Sequence, residues 1–340
     1  MFKNCFSLFK HILPVLLVLT LVGPVAASNH AETLTIYSGR SKSLVEPIIK
    51  QFEEATGIKV EANFGGTTQL AAALLTEGDK SPAALFWAQD AGALGAVSKK
   101  EMFEKLPESI LTKVASSFRD AEGFWVATSG RARVLAYSPA RVKMEELPKS
   151  IFDLTQPMWK GRVGWAPTNA SFQAFVTSLR VQVGEEKTKE WLLGMKANGV
   201  KKYAKNTPII EALAAGEIDA GLPNHYYLLR FKKSDPEYPV AQTFFKASDP
   251  GNLVNIAGIG VLKSAENKKA ALKFVEFLLS TEAQQYFTSD VFEYPVTEGV
   301  TQNENLVPLS ELIKMAPVFN LNDMDDLDGT VKLLQAVEVL

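Results

Sequence analysis

Two tyrosines stand side by side in the run Asn224-His225-Tyr226-Tyr227. A phenol loses its proton only near pH 10, but a bound cation can remove it, so paired phenols are a source of anionic oxygen for a hard trivalent metal. Adjacent tyrosines also serve as ordinary packed aromatics, and the pair alone does not choose between these uses. Successive strand residues point to opposite faces, so both rings reach one metal only if the backbone turns here. Pro223-Asn224 supplies such a break. His225 could serve beside the site, as an outer partner or as an alternative ligand. A Ser-His-Asp hydrolase would have to use it, because His11 and His30 lie at the beginning of the chain, yet no Gly-x-Ser-x-Gly elbow accompanies it. No His or carboxylate cluster at zinc-ligand spacing and no Walker loop is present. The acidic run Asp323, Asp325, Asp326 and Asp328 lacks the glycine and distal glutamate of a calcium loop and reads as a solvated turn.

The chain begins with Lys3 and Lys10, an apolar run from Ile12 to Val25, and the small residues Ala26 and Ala27. That order is a secretory signal over residues 1–27, with Ser28 as the new terminus. Its removal takes away Cys5, the only cysteine, so neither disulfides nor thiolate metal sites are expected in the exported protein. No later stretch approaches the roughly 20 apolar residues of a membrane span. Without Lys3 and Lys10, the 36 basic side chains fall short of the 38 acidic ones by about four, with no basic block for nucleic acid.

The elements that must position the tyrosines alternate strands with helices. Leu34 and Ile36, then Val60, Ala62 and Phe64, have period two, and Leu44, Val45, Ile48, Ile49 and Phe52 between them have helical spacing up to Gly57. Thr67 is the expected cap of a helix to Glu77, followed by a strand over Ala83 to Trp87. Further strands are expected at Phe124 to Thr128, Val134 to Tyr137, Val163 to Ala166 and Ile218 to Leu222. Helices are expected at Phe172 to Val183, Lys187 to Asn198, Pro208 to Ala215 and Lys268 to Leu279. The pattern predicts an α/β protein of two lobes, each a mainly parallel sheet flanked by helices.

Ile36-Tyr37-Ser38-Gly39-Arg40, Ser129-Gly130-Arg131-Ala132-Arg133-Val134, Ala166-Pro167-Thr168-Asn169, Ala204-Lys205-Asn206, Gly216-Glu217-Ile218-Asp219-Ala220, the tyrosine run and Glu293-Tyr294-Pro295 follow one another along the chain. In this order the chain resembles the periplasmic ferric-ion-binding proteins of ABC transporters, from Leu34 to about Pro295. The resemblance implies the type II periplasmic-binding fold, with two hinge crossovers and a cleft that closes on its ligand. By this likeness residues 32–131 and 257–307 form the N-terminal lobe, and residues 132–256 and 308–340 the C-terminal lobe. It also implies a monomer in the periplasm that passes ferric ion to an inner-membrane ABC permease.

The same resemblance implies a ligand set. Relatives of one subgroup place a histidine where Ser41 stands and a glutamate where Gln89 stands, so both first-lobe ligands are missing, leaving Ser41, Gln89 and Arg40 as cleft contacts. Tyrosine-rich relatives draw a third phenolate from the strand after the arginine segment, a position matched by Tyr137. Tyr137, Tyr226 and Tyr227 are therefore the expected metal ligands. A synergistic anion such as carbonate is expected at Asn169, Asn206 and Asn224, with Arg131 as a forked clamp; Thr168 and Asn169 precede a helix whose N-terminus favours an anion. Arg40 and Arg133 are open to the same use or to ordinary ion pairs. A same-fold protein that binds an organic or inorganic anion without metal is the alternative.

Overall fold

The computed structural model describes residues 33–340, so the expected leader lies outside the described residues. No described helix is long and apolar enough to cross a membrane.

The alternating residues near the start form β1 (Thr33–Ser38), and the helically spaced ones form α1 (Lys42–Thr56), which buries Leu44, Val45, Ile48, Ile49 and Phe52. Gly57 ends α1 with φ 72°, a left-handed turn that glycine adopts without steric cost. Next come β2 (Lys59–Phe64), α2 (Thr67–Glu77), β3 (Leu85–Ala88), α3 (Ala91–Ser98), α4 (Glu108–Leu111), β4 (Val126–Ala132), β5 (Leu135–Tyr137) and β6 (Val163–Trp165). The chain continues through α5 (Ala170–Val183), α6 (Glu185–Ala197), β7 (Lys201–Lys202), α7 (Asn206–Ala215), β8 (Ala220–Gly221), α8 (His225–Ser234) and β9 (Ala241–Thr243). It closes with β10 (Val254–Val261), α9 (Lys268–Leu278), α10 (Thr281–Ser289), α11 (Leu309–Met315) and α12 (Leu327–Ala336). Thr67 does not cap α2; it is the first helical residue, after Gly66, and its hydroxyl bonds Gly39 O at 3.3 Å.

Two five-stranded sheets result, ordered β2-β1-β3-β10-β4 and β7-β6-β8-β5-β9. The sheets are mixed rather than mainly parallel. β1 runs parallel to β2 and β3, whereas β10 is antiparallel to β3 and β4. Likewise β6 is parallel to β7 and β8, and β5 is antiparallel to β8 and β9. Parallel neighbours need a long return connection, usually a helix. β5 and β10 arrive directly from the other sheet, without such a helix, and enter against their neighbours.

The two crossings, from β4 to β5 and from β9 to β10, lie side by side: Arg133 N donates to Leu253 O at 2.8 Å. Each sheet carries a core built on a buried tryptophan. Trp87 meets Phe274 and Phe287 edge-on, and Trp165 meets Phe172 and Trp191. The C-terminal acidic run is not merely a solvated turn. Asp326 caps α12 and pairs with Arg180 of α5 at 2.8 Å, while Asp325 pairs with Lys99, just beyond α3, at 3.1 Å.

Gly258 lies at a register shift between β10 and β4, where a Cβ would meet Leu94 at 2.7 Å and Val126 O at 2.9 Å. Gly258→Ala is expected to cost about 1–3 kcal/mol through overpacking, read as a lower urea midpoint at unchanged slope. An unchanged midpoint would contradict this packing.

Candidate metal and anion site

The turn required by the tyrosine pair is the start of α8. Asn224 is extended (φ −86°, ψ 153°), and Tyr226 and Tyr227 fall in the first helical turn with their rings stacked at 4.4 Å and 29°. Tyr226 is fully buried, and Tyr227 lines the cleft between the halves built on the two sheets. His225 turns away from the cleft: Ala132 N donates to its Nδ1 at 3.1 Å, and its Nε2 reaches Phe292 O at 2.7 Å. With Nδ1 accepting, the proton lies on Nε2. Burial pushes the ring's pKa down to about 4 against weaker upward pulls from Phe292 O and Glu293, so it is neutral at neutral pH.

Three buried arginines surround the phenols. Ser129, Arg131 and Arg133 alternate with Gly130, Ala132 and Val134 and so share one side of the extended chain around β4. Arg133 donates to the carbonyls of Leu222 and Ser171 and lies 5.1 Å from the Phe175 ring centroid. Its pKa is lowered to about 9 by burial and then by Arg131, which still leaves it cationic at neutral pH. Arg40, in the turn after β1, donates through Nη2 to both oxygens of buried Glu293, at 2.7 and 2.8 Å; Ser129 Oγ donates to the same carboxylate. Burial alone would depress Arg40, but the Glu293 carboxylate holds it above the ordinary guanidinium range. Gly39 makes this turn fit, because a Cβ there would lie 2.0 Å from Thr67 Oγ1.

Arg131 Nη1 and Nη2, Asn206 Oδ1, Asn224 Nδ2 and Tyr226 Oη are all buried and make no hydrogen bond within the protein. Buried polar groups are normally paired, and unpaired charge is the costliest exception. Forked cationic donors call for an anion and a free phenol oxygen for a cation, so the site suits both together. Burial, followed by the neighbouring Tyr226, pushes the Tyr227 hydroxyl far above the ordinary phenol range, with Asn206 and Arg131 pulling it back. Burial also raises Asp90, against the opposing pull of Arg131.

The cleft has a volume of about 640 Å³ and carries Arg40, Lys42, Lys205 and Arg230 on its walls, with no acidic residue among those lining it. Ser41, Gln89 and Asn169 line it as well. Asn169 caps α5, accepting from Ser171 N at 3.0 Å and Ser171 Oγ at 2.7 Å, and Asn206 Nδ2 reaches the same hydroxyl at 3.3 Å. Tyr137 is not brought to the pair. Its ring is buried on β5 and its hydroxyl meets Sδ of Met144, an exposed residue, at 3.2 Å, away from the cleft lining. The structure thus gives the Tyr137 hydroxyl a thioether partner, and its place on a strand did not specify which face its ring takes. Sequence reasoning assigned no role to Glu293, Ser129 or Ser171. The signal for the first was a carboxylate inside the apolar run Val291-Phe292-Glu293-Tyr294-Pro295-Val296, which burial obliges to find a cation.

The family described as bacterial extracellular solute-binding protein matches residues 81–318. The chain is 36% identical over 314 residues to the major ferric iron-binding protein of Neisseria meningitidis serogroup B, covering 91% of this chain and 94% of the relative. Among solved structures it resembles iron-bound HitA from Pseudomonas aeruginosa (34% identity, TM-score 0.86, 90% of this chain and 99% of that one). It also resembles Trichodesmium IdiA (FutA) in complex with iron and citrate ligands (31% identity, TM-score 0.72, 90% and 99% covered).

Because the folded state disfavours charging His225, the unfolded chain binds the extra proton first as pH falls below about 6.5. Stability should fall on acidification from about 6.5 to about 4, by about 3 kcal/mol from this group, and level off below that. Urea unfolding of the apo protein against pH checks this. His225→Gln should lose that component of the slope; parallel pH profiles for the two proteins would contradict it.

Proposed function

Because the chain belongs to the bacterial extracellular solute-binding protein family, we propose that its cleft captures ferric ion with an anion in the periplasm and delivers the metal to an inner-membrane ABC permease. The observation that carries this reading is the stacked pair Tyr226 and Tyr227 beside Arg131, whose guanidinium donors have no partner in the protein. The names of the relatives and the iron-bound structures support it.

In this reading the metal displaces the protons of Tyr226 and Tyr227, against the burial that raises the Tyr227 hydroxyl. Two phenolates leave ferric ion with residual positive charge, and among the described residues no group of three or more His, Cys, Asp or Glu could hold a metal. The anion supplies the remaining charge. Arg131, Asn206 and Asn224 receive it, with Asn169 presenting the N-terminus of α5. Carbonate fits this role, and a cleft of about 640 Å³ also admits a larger carboxylate.

We take the moving lobes as residues 32–131 with 257–307, and 132–256 with 308–340. Membership of the two sheets and the docking of α12 on α5 support this division. Both phenols then belong to one lobe, so opening alone leaves the metal on α8, and reduction or phenol protonation completes release. The alternative, an anion-binding protein without metal, draws on the cluster of guanidiniums and the acid-free cleft wall.

Titration of the apo protein with a ferric chelate and bicarbonate should produce a visible phenolate-to-iron band. Tyr226→Phe and Tyr227→Phe should each weaken binding by about 100-fold or more, with Tyr137→Phe unchanged. Carbonate or citrate binding without colour from any iron source would select the anion reading instead.

A further inference from the structure

The first lobe offers the tyrosines neither histidine nor carboxylate, since Ser41 and Gln89 occupy the two positions where such ligands were expected. What it offers is Arg40. This residue is 1% exposed, lies on the cleft wall with Tyr227, and has Nε and Nη1 buried without a partner in the protein. Its other end is clamped. Nη2 is held by both oxygens of Glu293, which is itself fully buried and accepts from Ser129. The backbone on either side of Glu293 is fixed as well: Phe292 O accepts from His225 Nε2 at 2.7 Å, and Tyr294 pairs with Gly130 at 2.7 and 2.8 Å.

A guanidinium held through Nη2 keeps unpaired donors at Nε and Nη1, which do not lie along one edge, so an oxyanion on its open side takes a single charge-assisted N–H from it rather than a parallel pair. Ferric ion with two phenolates and a dianion carries net negative charge, which a nearby cation stabilises. We propose that Arg40 is the first lobe's contact with the loaded site: its unpaired Nη1 donates to the anion that completes the iron coordination, and Glu293, holding Nη2, is the positioning residue that aims it. This rests on the ferric reading above. The second lobe then holds the metal and the first lobe recognises the anion, so closure reports that both are present.

The test compares wild type, Arg40→Gln, Arg40→Lys and Arg40→Gln/Glu293→Gln loaded with ferric ion and carbonate. The double variant guards against misfolding, since it removes the buried charges as a pair; apo melting curves accompany each protein. Every variant should keep the phenolate band. Arg40→Gln and the double variant should release iron to excess chelator about 10- to 100-fold faster. The ferric/ferrous potential of Arg40→Gln should move lower, because a cation near the metal has gone, with a smaller shift in the double variant, which loses both charges, and Arg40→Lys should restore part of the potential but little of the release rate. A coloured wild type with release and potential unchanged in Arg40→Gln would overturn this inference alone. A wild type that develops no colour would overturn the ferric reading and this inference with it.

Discussion

Three guanidinium groups and two phenols are buried together, with Arg40 and Tyr227 on the cleft wall, and each cation taken from water must be compensated within hydrogen-bonding reach. Arg40 has Glu293, and Arg133 has the carbonyls of Leu222 and Ser171. Arg131 has the influence of Asp90 but no hydrogen bond for its Nη atoms. A bare cation meets a positive wall in the cleft, and a bare anion leaves the buried hydroxyl oxygen of Tyr226 without a partner. A metal bound together with an anion satisfies both sets of groups.

The fold is arranged to bring these groups together. The extended run from Ser129 to Arg133 sends its polar side chains to one side, spanning the point where the chain leaves the first sheet for the second. The start of α8 places two consecutive tyrosines in one turn, where a strand would have separated them. His225, between this turn and the crossing, ties Ala132 to Phe292 and so links the tyrosine-bearing helix to the segment that carries Glu293. The paired tyrosines and the segments that cross between the sheets are thus immediate neighbours.

Much of this was legible in the sequence where the controlling interactions are local. The period-two residues of β1, the helical spacing of α1 and its glycine stop follow from side-chain periodicity, and the observed bounds agree closely. The tyrosine run and the Ser-Gly-Arg run were legible as chemistry only through the order of motifs in which they stand, since paired tyrosines alone serve equally as packed aromatics. The mixed direction of the sheets was not, since strand direction at β5 and β10 depends on crossings between sheets rather than on residue pattern. The contact of the Tyr137 hydroxyl with Met144 was not legible, because a position on a strand does not fix the face its ring takes. Glu293 was passed over as a working residue because its partner Arg40 lies 253 positions away in the chain.

The most direct test of the account is a crystal structure of the protein loaded with ferric ion and carbonate, with the metal located by anomalous scattering at the iron edge. The account predicts one strong peak within bonding distance of the hydroxyl oxygens of both Tyr226 and Tyr227, with an anion between the metal and Arg131. Iron bound elsewhere, or bound to only one of these two phenols, would contradict it.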